Sequence, residues 1–357
     1  MQFRDITIKD FRGIDYLEIS NFASINIFVG KNNVGKTSIL EAIFLLSGMS
    51  NLPLALQING RRGVQTHQQE DGLRYLFHNM SLDKQVSIKG HTERDEVRQL
   101  TISPKFKSID TGIQGSSSSL TTKTEQAKKT LVGLIAEYGI GDELKYHDEL
   151  LTEKDPFEFK SGEEYEESIL CTFLSPVQRS NKSTQEEIDS LIKAKKKTDI
   201  VECLQLFDLR VRNLESSSSG IFVEVDDVGE LLPLGMLGDG MSKYLNIVAS
   251  ALVTKIGGSN VILLDEFENG LHYTAQRKLW SILCKIVKET GLQLFITTHS
   301  IETLQSLAEE IASDTELDDD FMSLYRVTAT KSKGLQAYRY DAAGIRTAID
   351  NETELRG

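Results

Sequence analysis

One stretch near the start of the chain restricts its possible folds more than any other. Residues 24–29 have the apolar pattern of a buried strand, and residues 30–37 read G-K-N-N-V-G-K-T. Apolar side chains then recur at helical spacing over residues 39–46. The middle segment fits G-x-x-x-x-G-K-[ST], and a strand before it with a helix after it is the context that makes this pattern a phosphate-binding loop. The sequence therefore predicts a nucleotide site in an α/β domain.

The expected chemistry of this loop follows from its residue types. Gly30 and Gly35 allow the tight backbone turns that point successive N–H groups at phosphates. A helix that starts near Lys36 adds the positive end of its dipole. We expect the Lys36 ammonium to reach the β- and γ-phosphates, and the Thr37 hydroxyl to ligate Mg²⁺. The predicted nucleotide-binding residues of the loop are Gly30, Lys31, Asn32, Asn33, Val34, Gly35, Lys36, Thr37 and Ser38.

The composition narrows the class of protein and of partner. The 357 residues contain no apolar run of 18 and no basic-then-apolar N-terminus, so we expect a cytoplasmic protein without a membrane span. A formal net charge of −13 argues against general nucleic-acid binding, although the lysine-rich segment 193–197 can be read as a local basic patch or as a solvated helix face. Cys171, Cys203 and Cys284 form no C-x-x-C pair, which argues against a zinc site and a disulfide framework.

A second motif lies far along the chain, where residues 261–266 read V-I-L-L-D-E. Four apolar residues followed by two carboxylates are typical of the Walker B strand of nucleotide hydrolases. Asp265 would stand at the strand end, where ligands gather in open α/β sheets, and could hold Mg²⁺ through water. Glu266 could polarise the attacking water as a general base. The alternative is a buried strand that ends in an ordinary solvated turn.

The spacing of the motifs indicates a large insertion. Lys36 and Asp265 are 229 positions apart (265 − 36), which is far more chain than compact P-loop enzymes need between these two elements. Another predicted buried strand, residues 292–297, is followed at once by Thr298, His299 and Ser300. From that position His299 could sense the γ-phosphate or orient the water.

A glycine-rich segment, L-G-D-G-M at residues 237–241, opens a predicted helix. The start of a helix is an anion site, yet the phosphate loop already supplies one. We therefore interpret Gly238, Asp239 and Gly240 as residues that serve a nucleotide bound to a second copy of the protein. The alternative is an ordinary turn.

The remaining segments give a coarse secondary structure. We expect a hairpin before the phosphate loop, a strand pair after it, a helix over 125–137, a polar helical region and a closing hairpin. The corresponding ranges are 3–8 with 16–19, 85–89 with 98–102, 184–214 for the helical region, and 322–330 with 335–340. The chain accordingly divides into residues 1–50, an inserted β and helical lobe at 51–220, and residues 221–357.

These motifs together resemble the ABC-type ATPase heads of the SMC, Rad50 and RecF group. Within it they most resemble ATPases of bacterial anti-phage systems: the OLD (overcoming lysogenization defect) family and the related PARIS AriA and RloA-like (AAA15) proteins. The resemblance covers residues 1–48 and 221–305. The matching elements are Walker A at 30–37, the signature loop at 237–241, Walker B at 261–266, the D-loop E-N-G-L-H at 268–272 and the switch histidine in T-H-S at 298–300.

The resemblance implies an α/β P-loop fold of ABC type, with a mixed sheet, an antiparallel β lobe and an inserted, mainly helical region. It implies two heads that sandwich ATP and Mg²⁺, as a homodimer or a higher oligomer, with Gly238 and Gly240 completing the partner's site. It also implies that Arg12, in F-R-G at 11–13, lies near the nucleotide. Asp239 departs from the glycine usual in the signature, and Gln178 is a candidate for the Q-loop.

The resemblance also bears on partners. OLD nucleases carry a TOPRIM module in the same chain, whereas 58 residues (357 − 299) follow His299 here. A nuclease or toxin effector is therefore expected on a separate polypeptide, controlled by this chain as sensor or scaffold. Two readings compete with this one. The first is a RecF-like DNA repair or chromosome-maintenance ATPase that binds DNA, and the second is a scaffold that binds ATP without hydrolysing it, against which Glu266 argues.

Overall fold

The computed structural model describes residues 1–64, 71–108, 129–141, 143–151, 157–162, 164–176, 181–313, 321–330, 334–341, 343–345 and 347. Gln178, the candidate Q-loop residue, lies outside the described residues.

The described residues form both strands and helices, which alternate between residues 239 and 330. The strands are β1 (Asp5–Phe11), β2 (Ile14–Ser20), β3 (Ile25–Val29), β4 (Val86–His91), β5 (Val97–Ser108), β6 (Lys129–Ile140), β7 (Tyr146–Leu151), β8 (Glu158–Ser161), β9 (Cys171–Leu174), β10 (Val211–Ser217), β11 (Gly220–Val225), β12 (Leu232–Pro233), β13 (Val261–Leu264), β14 (Gln293–Thr297), β15 (Met322–Thr330) and β16 (Gly334–Tyr340). The helices are α1 (Lys36–Ser47), α2 (Leu54–Arg61), α3 (Asp71–Arg74), α4 (Asn181–Lys193), α5 (Lys197–Phe207), α6 (Asp239–Val253), α7 (Tyr273–Thr290) and α8 (Ile301–Ser313).

The central sheet has six strands in the order β16-β15-β3-β14-β13-β9. All neighbours from β15 to β9 are parallel, and only the edge strand β16 is antiparallel. Every residue of β3, β13 and β14 is buried, as expected for parallel strands that are covered on both faces. Because parallel strands share the direction of their carboxyl ends, the segments that follow β3, β13 and β14 meet at one edge of the sheet.

Alternating side chains of these strands pack into two hydrophobic cores, one on each face of the central sheet. Ile27, Ile262 and Ile296 belong to the core formed with helices α4 to α8. Phe28 and Phe295 belong to the other core, formed with α1 and the antiparallel sheet, and their rings stack 6.4 Å apart. The helix that follows the phosphate loop is therefore packed between two sheets, which holds its first turn rigidly at the sheet edge.

The second sheet is antiparallel, with seven strands in the order β2-β1-β4-β5-β6-β7-β8. It confirms the predicted hairpin before the phosphate loop and the predicted strand pair, now β4 and β5. The helix predicted over 125–137 is wrong, because Lys129–Ile140 forms strand β6 between β5 and β7. Leu134, Ala136 and Tyr138 are fully buried on one face of that strand. Long-range pairing and burial thus override the local helix preference of the segment.

The inserted region 51–220 contributes strands to both large sheets. Its strand β4 pairs with β1, and its strand β9 pairs in parallel with β13. The helices α4 and α5 lie in the predicted helical region and pack on α6. The division of the chain into residues 1–50, 51–220 and 221–357 stays a prediction. No helix in the described ranges is both long and apolar enough to cross a bilayer.

A buried arginine joins the antiparallel sheet to the phosphate-loop helix. Arg98 is fully buried on β5 and donates hydrogen bonds to the carbonyl oxygens of Leu46 (3.2 Å) and Ser47 (3.1 Å). It also pairs with the carboxylate of Glu167, which accepts the N–H of Ser50 at 2.8 Å. The last carbonyls of α1 are thereby satisfied by a cation, which is the favourable charge at a helix C-terminus.

Candidate nucleotide-binding site

A cleft of about 990 Å³ opens at the edge of the central sheet where β3, β13 and β14 end. Its walls are the phosphate-loop residues 32–38, the segments after β13 and β14, and a segment around residues 75–80. The cleft contains Arg12, Lys36, Thr37, Asp265, Glu266 and His299 together. Residues from both ends of the sequence therefore meet in one site.

The loop backbone explains its glycine pattern. Gly30 has a φ of +146°, and a Cβ at this position would lie 2.3 Å from the carbonyl oxygen of Val327 on β15. Gly35 has a φ of +110° immediately before α1. Both conformations are accessible to glycine and strained for other residues. The fold thus needs glycine at these two positions in order to turn the loop over the start of α1.

Lys36 reaches back across the loop. Its ammonium donates hydrogen bonds to the carbonyl oxygens of Gly30 (2.7 Å) and Lys31 (2.9 Å), and its Nζ lies 3.3 Å from Nδ1 of His299. Burial lowers the pKa of Lys36 to about 8, although Asp265, among other carboxylates, favours the charged form. The ammonium is therefore a concentrated positive charge at the floor of the cleft, able to exchange carbonyl partners for phosphate oxygens.

Thr37 and Asp265 lie in contact, as the two motifs require. The Thr37 hydroxyl is 3.1 Å and 3.2 Å from the two carboxylate oxygens of Asp265, and Thr297 Oγ1 donates to the same carboxylate at 2.6 Å. Asp265 is only 8% exposed. A hydroxyl and a carboxylate beside a phosphate site are hard oxygen ligands, which fit Mg²⁺, a cation that keeps waters and takes one or two protein ligands.

Glu266 follows Asp265 in an unusual backbone conformation. Its φ is +50°, a value that non-glycine residues adopt uncommonly and often near functional sites. Its N–H donates to Thr297 Oγ1 at 2.9 Å, and its carbonyl oxygen accepts from the Lys243 ammonium at 2.7 Å. Burial lowers the pKa of Lys243 to about 8. These contacts hold the backbone so that the Glu266 carboxylate lines the cleft.

Arg12 lies beside the start of α1 and shares a carboxylate with a second arginine. Arg12 Nε is 2.6 Å from Glu41 Oε2, and Arg62 Nε donates to Glu41 Oε1 at 2.8 Å. Arg62 also donates to Ser38 Oγ at 3.2 Å. Glu41 is 1% exposed, so two guanidinium groups face one buried carboxylate and leave a positive charge beside the loop. Burial lowers the pKa of Arg12 to about 10, a value at which it stays protonated at neutral pH.

The glycine-rich loop before α6 lies outside this cleft. Gly238, Asp239 and Gly240 are absent from its lining, although Asp239 lines a neighbouring cavity of about 610 Å³. Gly238 has a φ of +93°, and a Cβ on Gly240 would lie 2.8 Å from the carbonyl oxygen of Gly270. The loop therefore packs on the D-loop of its own chain while it remains apart from the nucleotide cleft of that chain.

Sequence reasoning missed three residues of the site. Arg62 and Lys243 are brought in by α2 and α6, and nothing in the local sequence of either indicates the contact. Glu268 lies inside the motif at 268–272 that the sequence did single out, yet its hydrogen bond to the His299 main chain depends on the approach of β13 and β14. The predicted Lys31 is exposed at the mouth of the loop, with its carbonyl oxygen turned to Lys36.

Comparison with known proteins indicates an ATPase domain. Residues 1–148 match a family model described as "AAA ATPase domain", and residues 139–305 match one described as "AAA domain, putative AbiEii toxin, Type IV TA system". An "ATP/GTP phosphatase" of Helicobacter pylori is 25% identical over 343 residues, which cover 86% of this chain and 88% of that protein. The "DNA replication and repair protein RecF" of Geobacter sulfurreducens is 46% identical over 55 residues, 15% of each chain.

The solved structures show the fold. The Smc head domain of Pyrococcus furiosus, with an extended coiled coil and bound to the C-terminal domain of ScpA, superposes with a TM-score of 0.55. The match covers 99% of this chain and all of that one, at 10% identity. Together with the two ATPase models and the cleft described above, this likeness leads to one conclusion. The chain is an ATPase with the fold of SMC head domains.

Proposed function

We propose that this ATPase binds and hydrolyses Mg-ATP in pockets that a second copy of the chain completes. One observation carries the proposal: the Walker A and Walker B residues meet in one cleft, whereas the signature residues Gly238 to Gly240 of the same chain stand outside it. In ABC-type heads the signature loop faces the nucleotide of the opposite head. A pocket that lacks its signature loop within one chain is what that arrangement requires.

Different residues of the cleft bind the phosphates, hold the metal and activate the attacking water. Residues 30–38 and the Lys36 ammonium bind the phosphates, and Thr37 with Asp265 would hold Mg²⁺. A Mg²⁺ ion held there would supply positive charge to the phosphates of the nucleotide. Glu266 accepts the proton of the attacking water, and His299 senses the γ-phosphate or orients that water. Arg12 and Arg62 would contact the nucleotide from the other side of the loop.

The exposed start of α6 is suited to contact a second copy of the chain. Met236, two residues before Gly238, is 76% exposed, and Leu231 is 44% exposed, so two apolar side chains of the segment before the signature loop face solvent. The N-terminus of α6 carries the positive end of a helix dipole toward that surface. The proposal requires the mass in solution to double with a non-hydrolysable ATP analogue and Mg²⁺, and to remain monomeric without nucleotide; sedimentation velocity makes this measurement.

We further propose that the chain is the sensor or scaffold subunit of an anti-phage system, controlling a separate nuclease or toxin. The resemblance to OLD-type defence ATPases supports this role, and so does the matched family model, whose description includes a putative toxin of a type IV toxin–antitoxin system. Cells that carry the native operon should plate phage less efficiently than cells in which the operon encodes Lys36→Ala. Equal plating over a broad phage panel would argue against the role.

A RecF-like function in DNA repair or chromosome maintenance is the second candidate. The RecF segment match of 46% over 55 residues supports it. The net charge of −13 counts against it, since DNA affinity comes mainly from lysine and arginine contacts to phosphate. Fluorescence anisotropy with labelled duplex DNA discriminates between the two. Tight, ATP-dependent binding that weakens steeply with salt would favour the repair function over the defence function.

A further inference from the structure

We propose that Glu268 is a positioning residue for hydrolysis, which fixes the main chain of His299 against the loop that carries Glu266. The inference rests on the proposed ATP site and extends it to a residue outside the Walker motifs. Glu268 lies two residues after Glu266, and both line the same cleft as His299. Its role would be exerted through His299 and not on the nucleotide itself.

The hydrogen bond between the two residues is short. Glu268 Oε1 accepts the main-chain N–H of His299 at 2.6 Å. His299 stands between the end of β14 and the start of α8, where no ladder or helix supplies an acceptor for that N–H. Hydrogen bonds from an N–H to a carboxylate are stronger than those between neutral groups. The side chain of Glu268 therefore determines where the main chain of His299 lies.

The surroundings keep this carboxylate in place. Its second oxygen, Oε2, is buried and has no hydrogen-bond partner among the described residues. The negative charge of Glu268 favours the charged forms of Lys36 and Lys243. Burial lowers the pKa of Lys243, and Glu268 opposes that effect more than Glu266 or Asp265 does. Lys36 is buried and Lys243 is half-buried, so an opposite charge nearby reduces the cost of keeping each ammonium group charged.

Beyond the bond from Thr297 Oγ1 to Asp265 at the strand ends, the same two loops are joined at two further points. The Phe267 N–H donates to the Thr297 carbonyl oxygen at 3.0 Å, and the Glu266 N–H donates to Thr297 Oγ1 at 2.9 Å. Glu268 adds a third bond, the one farthest along both loops. The three bonds together hold the main chain of Glu266 in place relative to that of His299, and both side chains line the same cleft.

This bond would matter most when phosphate binds. His299 Nδ1 is 3.3 Å from the Lys36 ammonium. When Lys36 turns toward a γ-phosphate, the imidazole loses that neighbour, and the main-chain bond to Glu268 remains to hold the residue. Without it, we expect ATP to bind through residues 30–38 as before, while His299 and Glu266 lose their mutual alignment. The expected defect is in kcat and not in affinity.

Three substitutions of Glu268 test the proposal, together with wild type. Glu268→Gln retains an oxygen that can accept the His299 N–H, whereas Glu268→Ala and Glu268→Met remove it. We expect the alanine and methionine variants to lower kcat about 10- to 100-fold with KM and the ATP Kd within about twofold, because misalignment of reacting groups affects the chemical step. Glu268→Gln should retain most of kcat with an unchanged pH–rate profile. Glu268→Met keeps the side-chain volume and serves where the alanine variant does not fold.

Two results would overturn this inference. If Glu268→Gln is as inactive as Glu268→Ala, the carboxylate acts through its charge or as a base. If all three variants turn over like wild type, the bond to His299 has no role in hydrolysis. A wild-type chain that binds ATP without hydrolysing it would refute the proposed function instead, so the two failures are distinguishable in the same assay.

Discussion

Lys36→Ala is expected to abolish ATP binding. Lys36 is only 5% exposed, and its ammonium lies against the phosphate loop, where it donates to the carbonyl oxygen of Gly30. Its removal takes away a buried, charge-assisted contact, and we expect the Kd for ATP to rise at least about a hundredfold. Isothermal titration with Mg-ATP measures the affinity directly.

A second readout and a control accompany this variant. Trp280 is the single tryptophan of the chain. Its ring stacks on the ring of Phe267 with the centroids 4.3 Å apart, and Phe267 lies between Glu266 and Glu268 in the sequence. Its fluorescence therefore reports on the Walker B loop. Lys278→Ala, which removes an exposed lysine of α7, should bind ATP like wild type. Normal ATP affinity in Lys36→Ala would show that the nucleotide site is elsewhere.

Glu266→Gln is expected to stop turnover while ATP stays bound. The substitution keeps the size of the side chain and removes its ability to accept a proton, so kcat should fall about 10²- to 10⁴-fold. Since the nucleotide that joins two heads is then not consumed, the dimer population should increase. Phosphate release and sedimentation velocity with Mg-ATP measure the two effects.

The control for this variant is an exposed glutamate on a distant helix. Glu202→Gln, on α5, should hydrolyse ATP at the wild-type rate. Turnover by Glu266→Gln equal to that of wild type would remove Glu266 as the base. In that case Glu268, the nearby carboxylate on the same loop, would be the next residue to examine.

The parts of the fold that the sequence predicts well are those whose structure is specified by residues close together in the sequence. The strands β3, β13 and β14 are short apolar runs that are buried on both faces, and each ends in a motif whose polar residues cannot continue the strand. The convergence of Lys36 and Asp265 follows from parallel strands, which carry their following loops to one edge of the sheet. Such features need no knowledge of the inserted region.

The errors and omissions depend on contacts between distant segments. Residues 129–140 contain helix-favouring residues, yet pairing with β5 and β7 makes them a strand. Arg62 joins the site because α2 packs against α1 and the buried Glu41 attracts it. Lys243 contacts Glu266 from a helix that begins at the signature loop. None of these contacts has a periodic or motif-level signal, since each is decided by packing.

The central claim is that each ATP pocket takes its loop from one chain and its signature from another, and a mixing experiment tests it most directly. One chain carries Lys36→Ala, and the other carries Gly238→Glu, which places a bulky anion on an open loop position with a φ of +93°. Each variant alone should be inactive. Because half of the pairs in an equal mixture are mixed and each mixed pair contains one intact pocket, activity should return to about a quarter of the wild-type rate. A mixture that stays as inactive as its parts, or a Gly238→Glu chain that hydrolyses ATP unaided, would contradict the account.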